Sequence, residues 1–123
     1  LPLKEINIIN NYHIIKKIDK TEKNGNNICK LNSKNIKLPL FIRNRKNGDV
    51  IYQLGLNGKK KVKEVFIENK VPLNLRDTYP ILVDSDDNIL WIPNLKKSKF
   101  NSKNSEFYDI ILKYCEKEEN DEQ

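Results

Sequence analysis

Among its 123 residues the chain has no methionine, one histidine, one tryptophan, two cysteines and four glycines. Cys29 and Cys115 have no CxxC spacing and no histidine beside them, which excludes the usual zinc pattern and a disulfide framework. Two reduced thiols in a cytosolic protein are the ordinary reading. His13 lies in the apolar-rich stretch Tyr12-His13-Ile14-Ile15 and reads as a strand residue rather than a catalyst. There is no GxSxG and no HExxH, and Gly58-Lys59 lacks the glycine spacing and the following Ser/Thr of a Walker loop. No residue pattern here makes an active site. No apolar run approaches the roughly 18 to 20 residues of a membrane span, and no signal-peptide pattern opens the chain. A cytoplasmic protein that does not enter the membrane is therefore expected. The length suits one domain with a single core. A start at Leu1 without any methionine reads as a piece of a longer protein.

What the chain has is positive charge, unevenly spread. The formal net charge is +6. Residues 1–36 hold seven Lys/Arg against three Asp/Glu, residues 37–63 hold eight against one, and residues 64–123 hold eight against thirteen. A basic block between less basic flanks is an electrostatic footprint for a polyanion. The bland alternative is a solvated surface, because lysine and asparagine are abundant throughout.

The local patterns read mostly as β-structure. Residues 3–9 and 12–18 are Ile-rich and separated by Asn10-Asn11, giving two strands with a tight turn. Residues 23–27 form a loop turning at Asn24-Gly25. Further strands are expected at 28–31, at 36–42 with Pro39 marking an edge or a break, and at 50–54 after Asn47-Gly48. Residues 79–83 and 88–92 flank Asp84-Ser85-Asp86-Asp87 and form a hairpin. That turn lacks the glycine and terminal glutamate of a calcium loop. Trp91, between Leu90 and Ile92, reads as core rather than as a base-stacking ring. Residues 105–115 fit a helix by spacing (Phe107, Ile110, Ile111, Tyr114 after Ser105) and a buried strand by composition. The tail from Glu116 is acidic and reads as frayed.

One helix is expected over 60–69, where Val62, Val65, Phe66 and Asn69 recur at helical spacing before Pro72. On that helix Lys59, Lys63 and Lys70 would fall on one side. Lysines at a helix start oppose the macrodipole, which makes sense if an external anion docks there. Arg43, Arg45 and Lys46 sit on a turn closed by Gly48-Asp49 and present more charge.

The string R-x-R-x-x-G-D at 43–49 continues through G-x-K-K-V-K-x-x-F-I-x-x-K-V-P at 58–72. Arg76-Asp77, P-I-L-V-D at 80–84 and I-L-W-I-P at 89–93 follow in order. Together these resemble the C-terminal domain of bacterial tRNA(Ile)-lysidine synthetases over about half of the chain. The loop from Val50 to Leu56 departs from the pattern, carrying Tyr52 and Gln53 and no further charge. The resemblance implies a parent enzyme that activates the wobble cytidine of tRNA(Ile) with ATP and magnesium and attaches lysine. ATP and lysine would bind an N-terminal PP-loop domain with an SGGxDS-like motif, which this chain lacks, so no cofactor is expected in the chain itself. It also implies a fold similar to a module of the phenylalanyl-tRNA synthetase β-subunit, a strand at 105–115, and a homodimer of the full-length protein.

The expected fold is a compact α+β domain, mainly antiparallel sheet with one principal helix. Residues 1–36 supply N-terminal strands or a linker, 37–115 the tRNA-binding domain and 116–123 an acidic tail. A-form RNA buries its base edges in a deep groove, so the domain should read backbone, 2′-hydroxyls and terminal pairs of the acceptor stem. Arg43 and Arg45 are the candidate bidentate phosphate contacts, expected on an exposed turn where their loss costs little stability. Lys59, Lys60, Lys63 and Lys70 add charge, and Arg76 serves as a contact or as a salt-bridge partner of Asp77 or Asp84. The alternatives are a basic module that docks an acidic protein and an editing-type hydrolase domain, the latter opposed by the lack of a nucleophile–base pair. The purified chain is expected neither to hydrolyse ATP nor to form lysidine. An assay for lysine transfer to tRNA checks this, and detectable transfer would overturn the assignment.

Overall fold

A computed structural model describes residues 1–116 apart from 11, 21, 24 and 56. The Asn10-Asn11 and Asn24-Gly25 turns, the end of the 50–56 loop and the tail beyond Glu116 thus lie partly or wholly outside the described residues.

Among the described residues, three antiparallel sheets form from short strands. β1 (Ile6–Ile9), β2 (His13–Lys17), β3 (Ile28–Leu31) and β10 (Ile110–Glu116) make one sheet in the order β1-β2-β10-β3. β4 (Phe41–Arg43), β7 (Ile81–Val83), β8 (Ile89–Ile92) and β9 (Lys96–Lys97) make the second, in the order β4-β7-β8-β9. β5 (Val50–Tyr52) and β6 (Lys59–Lys61) form a separate ribbon. Two helices, α1 (Val62–Glu68) and the single turn α2 (Leu73–Arg76), follow the ribbon directly. None of the described helices is long and apolar enough to cross a membrane.

The second sheet is the central layer, buried on both faces. Leu82, Leu90 and Trp91 pack with Ile15, Leu31, Leu112 and Tyr114 of the first sheet. Ile81, Val83, Ile89 and Ile92 pack on the other side with Ile51 of the ribbon and Val62, Val65 and Phe66 of α1. Burial on both faces is why 80–83 and 89–92 read as unbroken apolar runs rather than alternations. One irregularity serves this packing. Leu82 pairs with Trp91 and Val83 with Ile89, so Leu90 is an extra residue in the ladder. Such a bulge lets two consecutive side chains, Leu90 and Trp91, face the same layer. Trp91 is fully buried and its indole N–H donates to the Asn26 carbonyl at 2.9 Å.

Four expectations need correction. The helix begins at Val62, not at residue 60, because Lys59–Lys61 pair in register with Val50–Tyr52. The extended lysine run ends at Lys61, the N-cap of α1, so it leads into the helix instead of forming its first turn. The strand expected over 36–42 is confined to 41–43 and follows a cis Leu38–Pro39 bond, so Pro39 marks a break. At 105–115 the strand reading holds but starts later, at Ile110; Ser105 has a positive φ of 70° in a turn and caps no helix. Asp84, expected in a plain acidic turn, is buried and accepts from the Lys37, Asp86 and Asn88 amides.

Val65 and Phe66 carry the contact between α1 and the central sheet. Val65→Ala or Phe66→Ala is expected to cost roughly 2 to 5 kcal/mol through the cavity left behind. Denaturant unfolding of each variant measures it.

Candidate functional site

The 44–49 turn is held from within by its own acid. Arg43 leaves β4 with its side chain mostly buried, 14% exposed, against an Asp49 carboxylate that is 12% exposed. The two guanidinium ends donate to Asp49 Oδ2 at 2.8 Å and Oδ1 at 3.0 Å, and Nε donates to Asp87 Oδ1 at 2.9 Å. Asp49 also accepts from the Lys46 amide at 2.7 Å. Its backbone carbonyl accepts from Val62 N–H at 3.0 Å, which fixes where α1 starts. The bond to Asp49 raises the pKa of Arg43 further against the opposing effect of burial. Burial alone would raise that of Asp49, but bonds from Arg43 and the Lys46 amide outweigh it and hold the carboxyl below its ordinary value. Gly48, at φ 85°, supplies the left-handed residue that closes the turn.

Facing this turn across a cleft are β6, the start of α1 and α2. The cleft has a volume of about 620 Å³ and gathers Arg45, Lys46, Lys61, Lys63 and Arg76, with Asp49 and Asp77 as its carboxylates. Both acids are already engaged, Asp49 as described and Asp77 by Arg45 Nε at 3.0 Å. The Arg45 guanidinium also lies over the Phe66 ring, 5.6 Å from its centroid, a cation–π contact that steadies it against the core. Arg76 gives its Nε to the Val71 carbonyl at 2.9 Å rather than pairing with Asp77 or Asp84. Anchored at one nitrogen each, Arg45 and Arg76 keep their remaining donors for a ligand. The arrangement is a concave surface with an excess of fixed positive charge, suited to oxyanions.

The structure thus brings Arg45, Lys63 and Arg76 together and leaves the other candidates elsewhere. Arg43 is corrected from an exposed turn charge to a tethered residue behind the turn, because its nitrogens serve Asp49, Asp87 and the Asn44 carbonyl. Lys59, Lys63 and Lys70 do not share a helical face: only Lys63 is helical. Lys70 takes a left-handed φ of 55° just past α1, where Val71 N–H reaches back to the Phe66 carbonyl and closes the helix end. Lys60 points to the opposite face of the ribbon from its neighbours and ion-pairs with Glu68. Lys46 and Lys61 complete the cleft. The period-two alternation of a strand singles out Lys61 with Lys59, a pattern that the helical spacing of the following residues masks. His13 does not line the cleft; it is half-buried among Tyr12, Tyr79 and Tyr114, and that burial lowers its pKa against the opposing pull of Glu116.

Residues 40–110 match the model of the TilS substrate C-terminal domain family. The chain is 44% identical over 95 residues to a tRNA(Ile)-lysidine synthase of Bacillus licheniformis, covering 76% of this chain and 20% of that protein. It is 49% identical over 82 residues to the Bacillus subtilis tRNA(Ile)-lysidine synthase, covering 67% of this chain and 17% of that protein. The chain therefore spans about a fifth of the length of these relatives. A crystal structure of a TilS C-terminal domain superposes with a TM-score of 0.84 at 36% identity, covering 94% of this chain and 93% of that one. A fragment of the phenylalanyl-tRNA synthetase β-subunit from Pyrococcus horikoshii shares the fold, with a TM-score of 0.55 at 19% identity over 71% of this chain and 27% of that one.

The Arg43–Asp49 pair predicts a specific cost. Arg43→Ala or Asp49→Asn is expected to lose about 1.5 to 3 kcal/mol of stability, the range for hydrogen bonds to charged groups. The folded-state pKa of Asp49 is depressed, so its contribution is full above the unfolded value of about 3.9 and is lost as pH falls through the folded value. Unfolding curves of the wild type and Asp49→Asn should converge over that acid range.

Proposed function

The chain belongs to the family of TilS substrate C-terminal domains, and on that premise we propose that it is the RNA-docking part of a tRNA(Ile)-lysidine synthase. In this reading the cleft holds backbone phosphates of the tRNA(Ile) acceptor stem. The observation that carries it is the convergence of Arg45, Lys46, Lys61, Lys63 and Arg76 on one hollow whose two carboxylates are already bonded. Duplex RNA offers side chains its phosphates and 2′-hydroxyls more readily than its base edges, so a cationic cleft matches what the stem presents. Arginines anchored at one nitrogen supply directed donors, and the lysines supply mobile charge.

Adenylation of the tRNA, with its ATP and magnesium, and the binding of lysine are assigned to the remaining four-fifths of the parent protein, whose setting would be the cytoplasm. Arg43 acts as a positioning residue that holds the turn carrying Arg45 and Lys46. A second reading, docking of an acidic protein, is favoured by Leu73, which lines the cleft and is 71% exposed.

Titration of the chain with tRNA(Ile) over a range of salt decides between them. About five phosphate contacts give a log–log slope of roughly −3 to −5, and Lys63→Ala should reduce its magnitude by about one. Arg45→Ala with Arg76→Ala should weaken binding by about 2 to 4 kcal/mol. A salt-insensitive interaction, or none with tRNA, points to the protein partner.

A further inference from the structure

Tyr52 lies outside the cleft, at the end of β5 in the stretch that departs from the sequence pattern, yet the ribbon connects it to that cleft. Tyr52 pairs with Lys59 and Val50 with Lys61, and cross-strand partners share a face, so these four side chains occupy one side of the ribbon. Val50 and Lys61 line the cleft. Tyr52 and Lys59 stand two residues further along, at about 7 Å. Tyr52 is 44% exposed.

A cation far away in sequence completes the group. Lys99 N–H donates to the Tyr52 carbonyl at 2.7 Å, and its ammonium lies 4.9 Å from the Tyr52 ring centroid and 5.5 Å from that of Phe100. Neither Lys59 nor Lys99 forms a salt bridge with a carboxylate among the described residues. Past Lys99 a hollow of about 440 Å³ is lined by Phe100, Phe107, Asn32 and Asn35, with Phe107 65% exposed. Its one carboxylate, Glu106, accepts from the Lys103 amide. The residue count over 64–123 is acidic, and it hides this local basic surface.

The two regions differ in chemistry. The cleft offers cations and no aromatic ring among its lining residues, which suits phosphates of a duplex. The Tyr52 region interleaves rings and lysines, which suits unpaired nucleotides, whose bases stack on rings while cations take the phosphates. We propose that Tyr52, Lys99 and Phe100 form a binding site for single-stranded RNA, continuous through Lys59 with the cleft, so that unpaired nucleotides leaving a held duplex cross the ribbon face. The inference rests on the reading of the cleft as an RNA site.

Fluorescence anisotropy with two labelled RNA hairpins tests it, one blunt and one carrying a short single-stranded extension at its open end. The extension is expected to tighten binding about fivefold to hundredfold, the range for one stacked base. Tyr52→Ala should abolish that gain, leave the blunt hairpin and the melting temperature unchanged, and be rescued by Tyr52→Phe. Lys99→Gln should reduce the gain, and Lys61→Ala should weaken both hairpins. Equal affinity for the two RNAs, or a gain that survives both Tyr52→Ala and Lys99→Gln, overturns the inference and leaves the cleft reading standing. Binding of the extended hairpin alone overturns the cleft reading, and binding of neither overturns both.

Discussion

Asp49 joins the end of a central strand, the turn that follows it and the start of α1. Its carboxylate takes Arg43 from the central sheet and the Lys46 amide from the turn, and its carbonyl takes the first amide of α1. Those bonds fix the turn carrying Arg45 and Lys46 relative to the start of α1, and the Arg45–Asp77 bond ties it to the end of α2. Asp87, from the tip of the β7–β8 hairpin, binds Arg43 from the other side and ties the turn to the most buried hairpin. A single charged pair, mostly withdrawn from water, therefore sets the geometry of an otherwise exposed cationic surface. Such pairs are costly to break one partner at a time because the remaining charge is left desolvated.

The acids near the cleft explain how dense positive charge is tolerated without cancelling it. Asp49 and Asp77 each meet an arginine, yet Arg45 and Arg76 engage through Nε and leave their outer nitrogens available. The lysines are separated by backbone geometry: in β6 the alternation sends Lys60 to Glu68 and keeps Lys59 and Lys61 on the open face. The same alternation lays a cationic path along the ribbon toward Tyr52 and Lys99.

Much of the fold was legible because its signals are local. The 28–31 strand and the 81–83 and 89–92 hairpin stand out by β-branched and aromatic runs bounded by turn residues, and α1 by Val62, Val65 and Phe66 before Pro72. The expected α+β class, mainly antiparallel with one principal helix, matches the architecture and its relatives. The site was less legible. Arg43 and Arg45 are two residues apart on one turn and look alike as sequence, but one faces Asp49 and the other the cleft. Lysines 59 to 61 fit a helix start until the pairing partner Val50–Tyr52 is known.

By itself the sequence determined the 28–31 strand, the hairpin strands at 81–83 and 89–92, the apolar stripe of the helix, that a basic block spans residues 37–63, and which family pattern the chain carries. Those properties are carried by the order and spacing of residues along the chain. Tertiary structure alone decided which cations converge, which are spent on internal carboxylates, and that Lys99 lies on Tyr52. Charge acts through space, and a partner's distance along the chain says nothing about its distance in the fold.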